Sequence, residues 1–277
     1  MSPMEVTRPW SGSGGHVPCL ANVCGPPRTE STLMKTTTSS SAILSRRLPS
    51  PRSAGARKEP PGVLVALSVV APEMEGEFNR WYEQEAVPDR LALPGVEAVH
   101  RYQAIGGNCS YMVVYRCESI EAFTSDAYRK HMASPSAWRL KVRKGFRNIQ
   151  FSACSETWST GSGFGGTAVI VQCSPAKGRD AEVRKFLSSE LATRIIDKGG
   201  IVRMALWEAD SEVTAAVDVS SRENVENYTN WMICIESSEL MKTAPAIQAE
   251  LLSPDVAHAG LVVGAIMRYN LLAAYHG

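Results

Sequence analysis

Apolar positions change their spacing several times along this chain, and each change marks an element. The run GVLVALSVV from Gly62 is continuous, apolar and rich in β-branched residues, the pattern of a buried strand. Pro72 closes it, and Phe78, Trp81, Tyr82 and Glu85 then recur at helical spacing. Pro88 ends that helix or kinks it, because proline lacks the donor an interior turn needs. Residues 96–104 alternate, with Ala98, His100 and Tyr102 on one face and Val99, Arg101 and Gln103 on the other. Gly106, Gly107 and Asn108 are turn chemistry before the strand YMVVYRC. A helical stretch carrying Ile120, Phe123 and Tyr128 begins near Ser119. A second, with Trp138, Leu140 and Val142, follows Pro135, and the strand FRNIQFSAC closes the series near Cys154.

The order strand, helix, strand, strand, helix, strand then recurs. TAVIVQC is a strand, residues 179–197 a helix, IVRMALWEA and WMICIE strands, residues 238–252 a helix, and AIMRYNLLAAY the last strand. Sliding one series onto the other without gaps sets Phe78 on Val183, Trp81 on Phe186, Glu85 on Glu190 and Tyr102 on Trp207. Further along, Tyr111 meets Trp231 and Phe146-Arg147 meets Met267-Arg268, so the chain reads as an internal duplication. The predicted fold class is α+β: two tandem ferredoxin-like βαββαβ units, each a four-stranded antiparallel sheet with its helices on one face. The free faces are expected to cover each other, forming a fused dimeric α/β barrel within one chain, with the small-molecule cavity between the sheets. The domain reading is a disordered tail at 1–61, a first unit at 62–160, a linker at 161–166 and a second unit at 167–277.

Composition narrows the classes. With 277 residues, 44% of them apolar, the chain can bury a substantial core. A net charge of +1 and no basic stripe among stacking aromatics argue against nucleic acid. No apolar run approaches the ~20 residues that span a bilayer. The seven cysteines are scattered without a CxxC pair, which predicts neither a disulfide framework nor a metal site. The tail is rich in Gly, Ser, Thr and Pro, and residues 31–58 carry basic but no acidic side chains. A cytoplasmic protein is expected, with a mitochondrial transit peptide as the alternative reading of that stretch.

The stretch E-F-N-R-W-Y-E-Q-E-A-V-P-D-R-L-A-L-P-G at residues 77–95, H-R-Y at 100–102 and S-Y-M-V-V-Y at 110–115 resemble the EthD-like branch of the dimeric α/β-barrel superfamily. The likeness covers residues 62–158 and is only architectural beyond 165. It implies a small barrel of the kind found beside ring-degradation and polyketide pathways, where members include lyases, cyclases and cofactor-free monooxygenases. The family's helix carries Glu-His before its x-Pro-x-Arg; here Glu85, Pro88 and Arg90 are present, but Ala86 stands where the histidine is expected.

His100 is the foremost catalytic candidate, since a cavity-facing imidazole would move a proton on a bound phenol or ketone; the plainer reading is a core histidine. Glu85 would be its helper, a base raised by an apolar setting, or else an ion-pair partner that pins the helix end. Tyr102, Tyr111 and Tyr115 are candidate substrate-binding donors, as are Trp81 and Arg90 from the helix, though strand aromatics are commonly core. Arg101 would hold a carboxylate, or pair at the surface. The glycines at 161, 163, 165 and 166 lack the Lys-Ser/Thr ending of a phosphate loop and read as linker. The expected activity is proton-transfer chemistry without a cofactor, namely dehydration, decarboxylation or cyclisation, on a small hydrophobic or aromatic, polyketide-like substrate. The alternatives are a non-catalytic binding barrel, a cofactor-free oxygenase, or a haem protein using His100 or His131. No metal is called for, the barrel closes within one chain, and a homodimer is compatible with it.

Overall fold

The computed structural model describes residues 59–106, 110–217 and 231–277. The expectations for the N-terminal tail and for Asn108 and Cys109 lie outside the described residues, apart from positions 59–61. Eight strands form one closed barrel: β1 (Gly62–Val70), β2 (Val96–Ala104), β3 (Ser110–Cys117), β4 (Phe146–Gly161), β5 (Thr167–Pro175), β6 (Ile201–Ala209), β7 (Trp231–Ser237) and β8 (Leu261–His276). Their order is β1-β3-β2-β8-β5-β7-β6-β4, every neighbouring pair is antiparallel, and β4 returns to β1.

Each half keeps the ferredoxin-like order, β4-β1-β3-β2 in the first and β8-β5-β7-β6 in the second. The duplication extends to register. Tyr115 lies opposite Leu64 on one side and Val99 on the other; its counterpart Ile235 lies opposite Val169 and Met204, the counterparts of those two.

The two halves meet edge to edge. β4 pairs with β1 through Ser155 and from Cys154 onward with β6, while β8 pairs with β5 and then with β2. The sequence pattern ends the fourth strand near Cys154 and treats glycine-rich residues beyond 160 as linker. Instead, residues 155–161 continue the strand, because the open edge of β6 offers them a ladder and Thr157, Trp158 and Thr160 are residues that favour strands. The chain then crosses to β5 where a Cβ on Gly165 would lie 2.5 Å from the backbone nitrogen of Ser237, a contact only glycine tolerates.

Helices cover the outer face. In the first half α1 (Glu75–Trp81) passes through a π-turn at Tyr82–Ala86 into α2 (Val87–Leu91), and α3 (Asp126–Ala133) and α4 (Ala137–Arg143) follow. Ser125 and Ser136 cap these last two, their hydroxyls accepting from the amides of Tyr128 and Arg139. In the second half α5 (Asp180–Phe186) passes through a π-turn at Leu187–Leu191 into α6 (Ala192–Ile196). A one-residue widening of a helix is rare; finding it at matching places marks it as inherited with the duplication. The second half also holds α7 (Ser211–Val217), α8 (Leu240–Leu251) and α9 (Pro254–His258). α7, absent from the sequence reading, is capped by Asp210 and leans back on β4, where the Thr214 hydroxyl accepts from the amide of Ala153. No helix among the described residues is long and apolar enough to cross a membrane.

The barrel interior is filled. Val63, Val65, Met112, Val114, Ile170, Trp207 and Met232 from five strands meet there, as an eight-stranded barrel allows. The expected cavity between the sheets is therefore replaced by packed side chains, and the large cavity lies on the other face of the first sheet.

Candidate functional site

That cavity, of about 690 Å³, sits between the first-half sheet and its helices. Tyr115 from β3 and Phe146, Ile149 and Phe151 from β4 form its floor; Trp81, Tyr82, Phe123 and Tyr128 supply aromatic walls, and Ala216 and Val217 of α7 close one side. Four arginines, Arg90, Arg129, Arg139 and Arg143, line it, and among the described residues no carboxylate or imidazole does. The Arg90 guanidinium stacks over Tyr128 at 5.0 Å and Tyr115 at 5.7 Å from the ring centres. Arg90 and Arg139 each donate to the sulfur of Met132, at 3.0 and 3.1 Å. Neither makes a salt bridge among the described residues, and Nη1 of each is buried without an acceptor, as is the Tyr128 hydroxyl. Burial, together with the neighbouring Arg90 charge, holds the Arg139 pKa below the usual arginine value.

The predicted site residues fall into three places. Trp81, Arg90 and Tyr115 line the cavity. Glu85 stands beside it on the π-turn, accepting from the Trp81 indole at 2.8 Å and from the Ser136 hydroxyl. Its duplicate Glu190 is exposed and makes no side-chain hydrogen bond among the described residues, so the role of Glu85 is not a shared one. Arg101 and Tyr111 point outward from β2 and β3 but belong to the joint beneath α1. Arg101 lies buried over Tyr82 at 4.8 Å and donates to Asn79 and Glu83, and the Tyr111 hydroxyl donates to Glu75 and accepts from Asn79. Arg101 is therefore not at the surface, because the helix covers it.

His100 and Tyr102 are in the third place, the barrel interior, so β2 separates His100 from Glu85. The imidazole is 2% exposed, its Nε2 has no partner, and its ring lies 4.3 Å from that of Phe164. Burial first, then the nearby Arg116 charge, pushes its pKa down to about 4.

Around it is a charged cluster missed from sequence, where the second half seemed to lack titratable groups. Glu156 on β4 accepts from Arg116 at 3.0 Å, from Arg203 and from the Trp207 indole at 3.1 Å. Burial raises its pKa, but the two arginines outweigh that and hold it below the ordinary value. Glu236 receives the Tyr102 hydroxyl at 3.3 Å and lies 3.7 Å from Arg203, and burial raises its pKa. The alternation of β6 and β7 was the signal available, since Arg203 and Glu236 share the inward face with Ala205, Trp207 and Cys234.

His131, half-buried on α3, has its pKa lowered by burial and by Arg90 and Arg139. Neither His100 nor His131 lines the cavity, so it offers haem no axial histidine. Among the described residues no group of three or more His, Cys, Asp or Glu could hold a metal ion.

No protein-family model and no curated protein matches this sequence. Solved structures do match. An anthrone oxidase-like protein superposes with a TM-score of 0.53 at 11% identity, covering 80% of this chain and 95% of its own. A candidate chlorite dismutase superposes at 0.50 and 12%, over 77% and 96%. A candidate monooxygenase of Lactobacillus acidophilus gives 0.46 and 14%, over 79% and 97%. With the closed antiparallel barrel and its helical outer layer, the first two of these likenesses define a dimeric α/β-barrel fold. Here both halves of that barrel belong to one polypeptide.

Proposed function

We propose that this chain is an EthD-like barrel enzyme that binds a small aromatic or polyketide-like molecule in the first-half cavity and promotes proton-transfer chemistry on it without a cofactor. The single observation that carries the reading is the cavity itself: about 690 Å³, walled by seven aromatic side chains and edged by Arg90 and Arg139, neither of which makes a salt bridge among the described residues. A flat, partly apolar ligand matches such walls, and the arginines stabilise negative charge that develops on it. Removing a proton from a phenol or from carbon beside a ketone leaves such charge. No imidazole lines the cavity, so the chemistry rests on the electrostatic field and on Glu85, tied to the wall through Trp81. His100, on the other face of β2, takes no part in this reading.

Cofactor-free oxygenation is the second reading, favoured by the anthrone oxidase-like neighbour, because an anthrone gives up a proton before it meets oxygen. Anthrone is thus the informative probe. Incubated with the protein in deuterium oxide under nitrogen and in water under air, it is expected to react faster than in buffer. Exchange of its C10 protons for deuterium under nitrogen supports proton transfer, and consumption in air supports oxygenation. Saturable binding without turnover leaves the non-catalytic barrel. Absence of binding, across anthrone and a panel of two- and three-ring phenols, sinks the cavity reading.

A further inference from the structure

Within the cavity the arrangement of cations is unusual for a site with no ligand-derived charge in view. Both guanidiniums are anchored by the same Met132 sulfur, so two positive groups stand side by side, and each keeps its Nη1 buried and without an acceptor. The Tyr128 hydroxyl, on a side chain 2% exposed, is a third group without a partner. A thioether is a weak acceptor and carries no compensating charge. Like charges held together at a desolvated wall are unfavourable unless an anion joins them. Among the described residues the wall itself supplies none, because no Asp or Glu of theirs lines the cavity.

We propose that the cavity is specific for an aromatic ligand bearing an acidic oxygen, a carboxylate or an ionised phenol, gripped by Arg90 and Arg139 with Tyr128 as the third donor. This deepens the preceding reading and rests on it. The rings hold the flat body of the ligand. Its oxygen takes the two free Nη1 donors, whose charge-assisted bonds are worth more than neutral ones. Because Arg90 is also stacked on Tyr115 and Tyr128, its donor direction is fixed before the ligand arrives, which reduces the ordering cost of binding.

The test is isothermal titration of the full chain with naphthalene-2-carboxylate, its uncharged isostere naphthalene-2-carboxamide, and 2-naphthol. The carboxylate is expected to bind roughly tenfold or more tighter than the carboxamide, as charge-assisted bonds predict. An ionised-phenol site would instead appear as proton release to buffer when 2-naphthol binds. Arg139→Gln, on the half-exposed side, should abolish the preference by bringing the affinity for the carboxylate down to that for the carboxamide. Arg90→Gln is the second variant, with folding checked by circular dichroism. Equal affinity for carboxylate and carboxamide with no proton release from naphthol overturns the anion proposal, as does a preference that survives both variants. If none of the three compounds binds, the cavity reading itself fails.

Discussion

The helix–sheet layers of the two halves began as copies and now differ in kind. Where the first has Tyr82, Arg90 and Tyr115, the second has Leu187, Ile195 and Ile235, each 0–1% exposed and packed against the others' neighbours in an aliphatic core. The backbone hardly registers the change, since the π-turn, the strand register and the helix direction are the same in both. The difference teaches that the scaffold tolerates either a polar aromatic chamber or a solid core at one place. The first half has kept the chamber, at the expense of burying cations without partners, and that choice needs a function to explain it.

The sharpest way to break the comparison is to force the chamber's chemistry on the solid half. Ile195→Arg should place an unpaired charge among Leu187, Leu191 and Val183 and cost about 5 kcal/mol or more. Urea unfolding followed by circular dichroism would measure it. A loss below about 1 kcal/mol would mean the second layer is as open as the first, and the contrast would collapse.

Next in size is the cluster that both halves share inside the barrel. Arg116 and Glu236 occupy duplicated positions with opposite charge, and Glu156 joins Arg116 to Arg203 across the β4–β6 seam. Removing Glu156 strands the half-buried Arg116 and leaves the buried Arg203 only the more distant Glu236, so Glu156→Leu is expected to destabilise by about 3–4 kcal/mol. Arg116→Met combined with Glu156→Leu should recover part of that loss, and unfolding of the single and double variants checks the coupling.

Turning the chamber into its duplicate is a change of binding more than of stability. Arg90→Ile with Tyr115→Ile copies the second half's residues and should lower affinity for an aromatic carboxylate by roughly 100-fold. Stability should move by less than about 2 kcal/mol, because the scaffold already accommodates these residues elsewhere. Titration and thermal melting together separate the two. Unchanged affinity would take the ligand out of this chamber.

The fold was legible because period and duplication agree with each other. β1 and β2 run over the stretches that a continuous apolar run and an alternating one predict, and the overlay of the two series survives as shared register. What escaped was tertiary. Residues 155–161 follow the expected end of the fourth strand near Cys154, and their place in the sheet is set by the free edge of β6. The site was half legible: Trp81, Arg90 and Tyr115 are in the chamber, whereas Tyr128 and Arg139, on short helices read as cover, supply its free donors. His100 and Arg101 are adjacent on one strand, so they necessarily point to opposite faces. Which face held the cavity depended on how tightly an eight-stranded barrel fills, and the strand pattern is silent on that.

The smallest expected effect probes the interior face, where His100 stands at the position the duplicate fills with Ala205. With its pKa pushed down to about 4 in the folded chain against 6.5 ordinarily, the imidazole stays neutral in the folded state while the unfolded chain takes up a proton. Stability from this group is therefore complete above the ordinary value and is lost as pH falls from 6.5 toward 4, on the order of 2 kcal/mol. Glu236 acts in the opposite sense: its raised folded pKa favours the folded state at low pH and is lost as pH rises. The two partly cancel in the native chain. His100→Leu should remove the His100 loss and keep the trends of Glu236, His131 and Glu156, so relative to the native chain the variant gains stability on acidification. Urea midpoints at several values between pH 4 and 7 would read this directly. Parallel curves for the two proteins would mean that His100 is protonated where it sits, and the closed, dry interior drawn here would have to admit water.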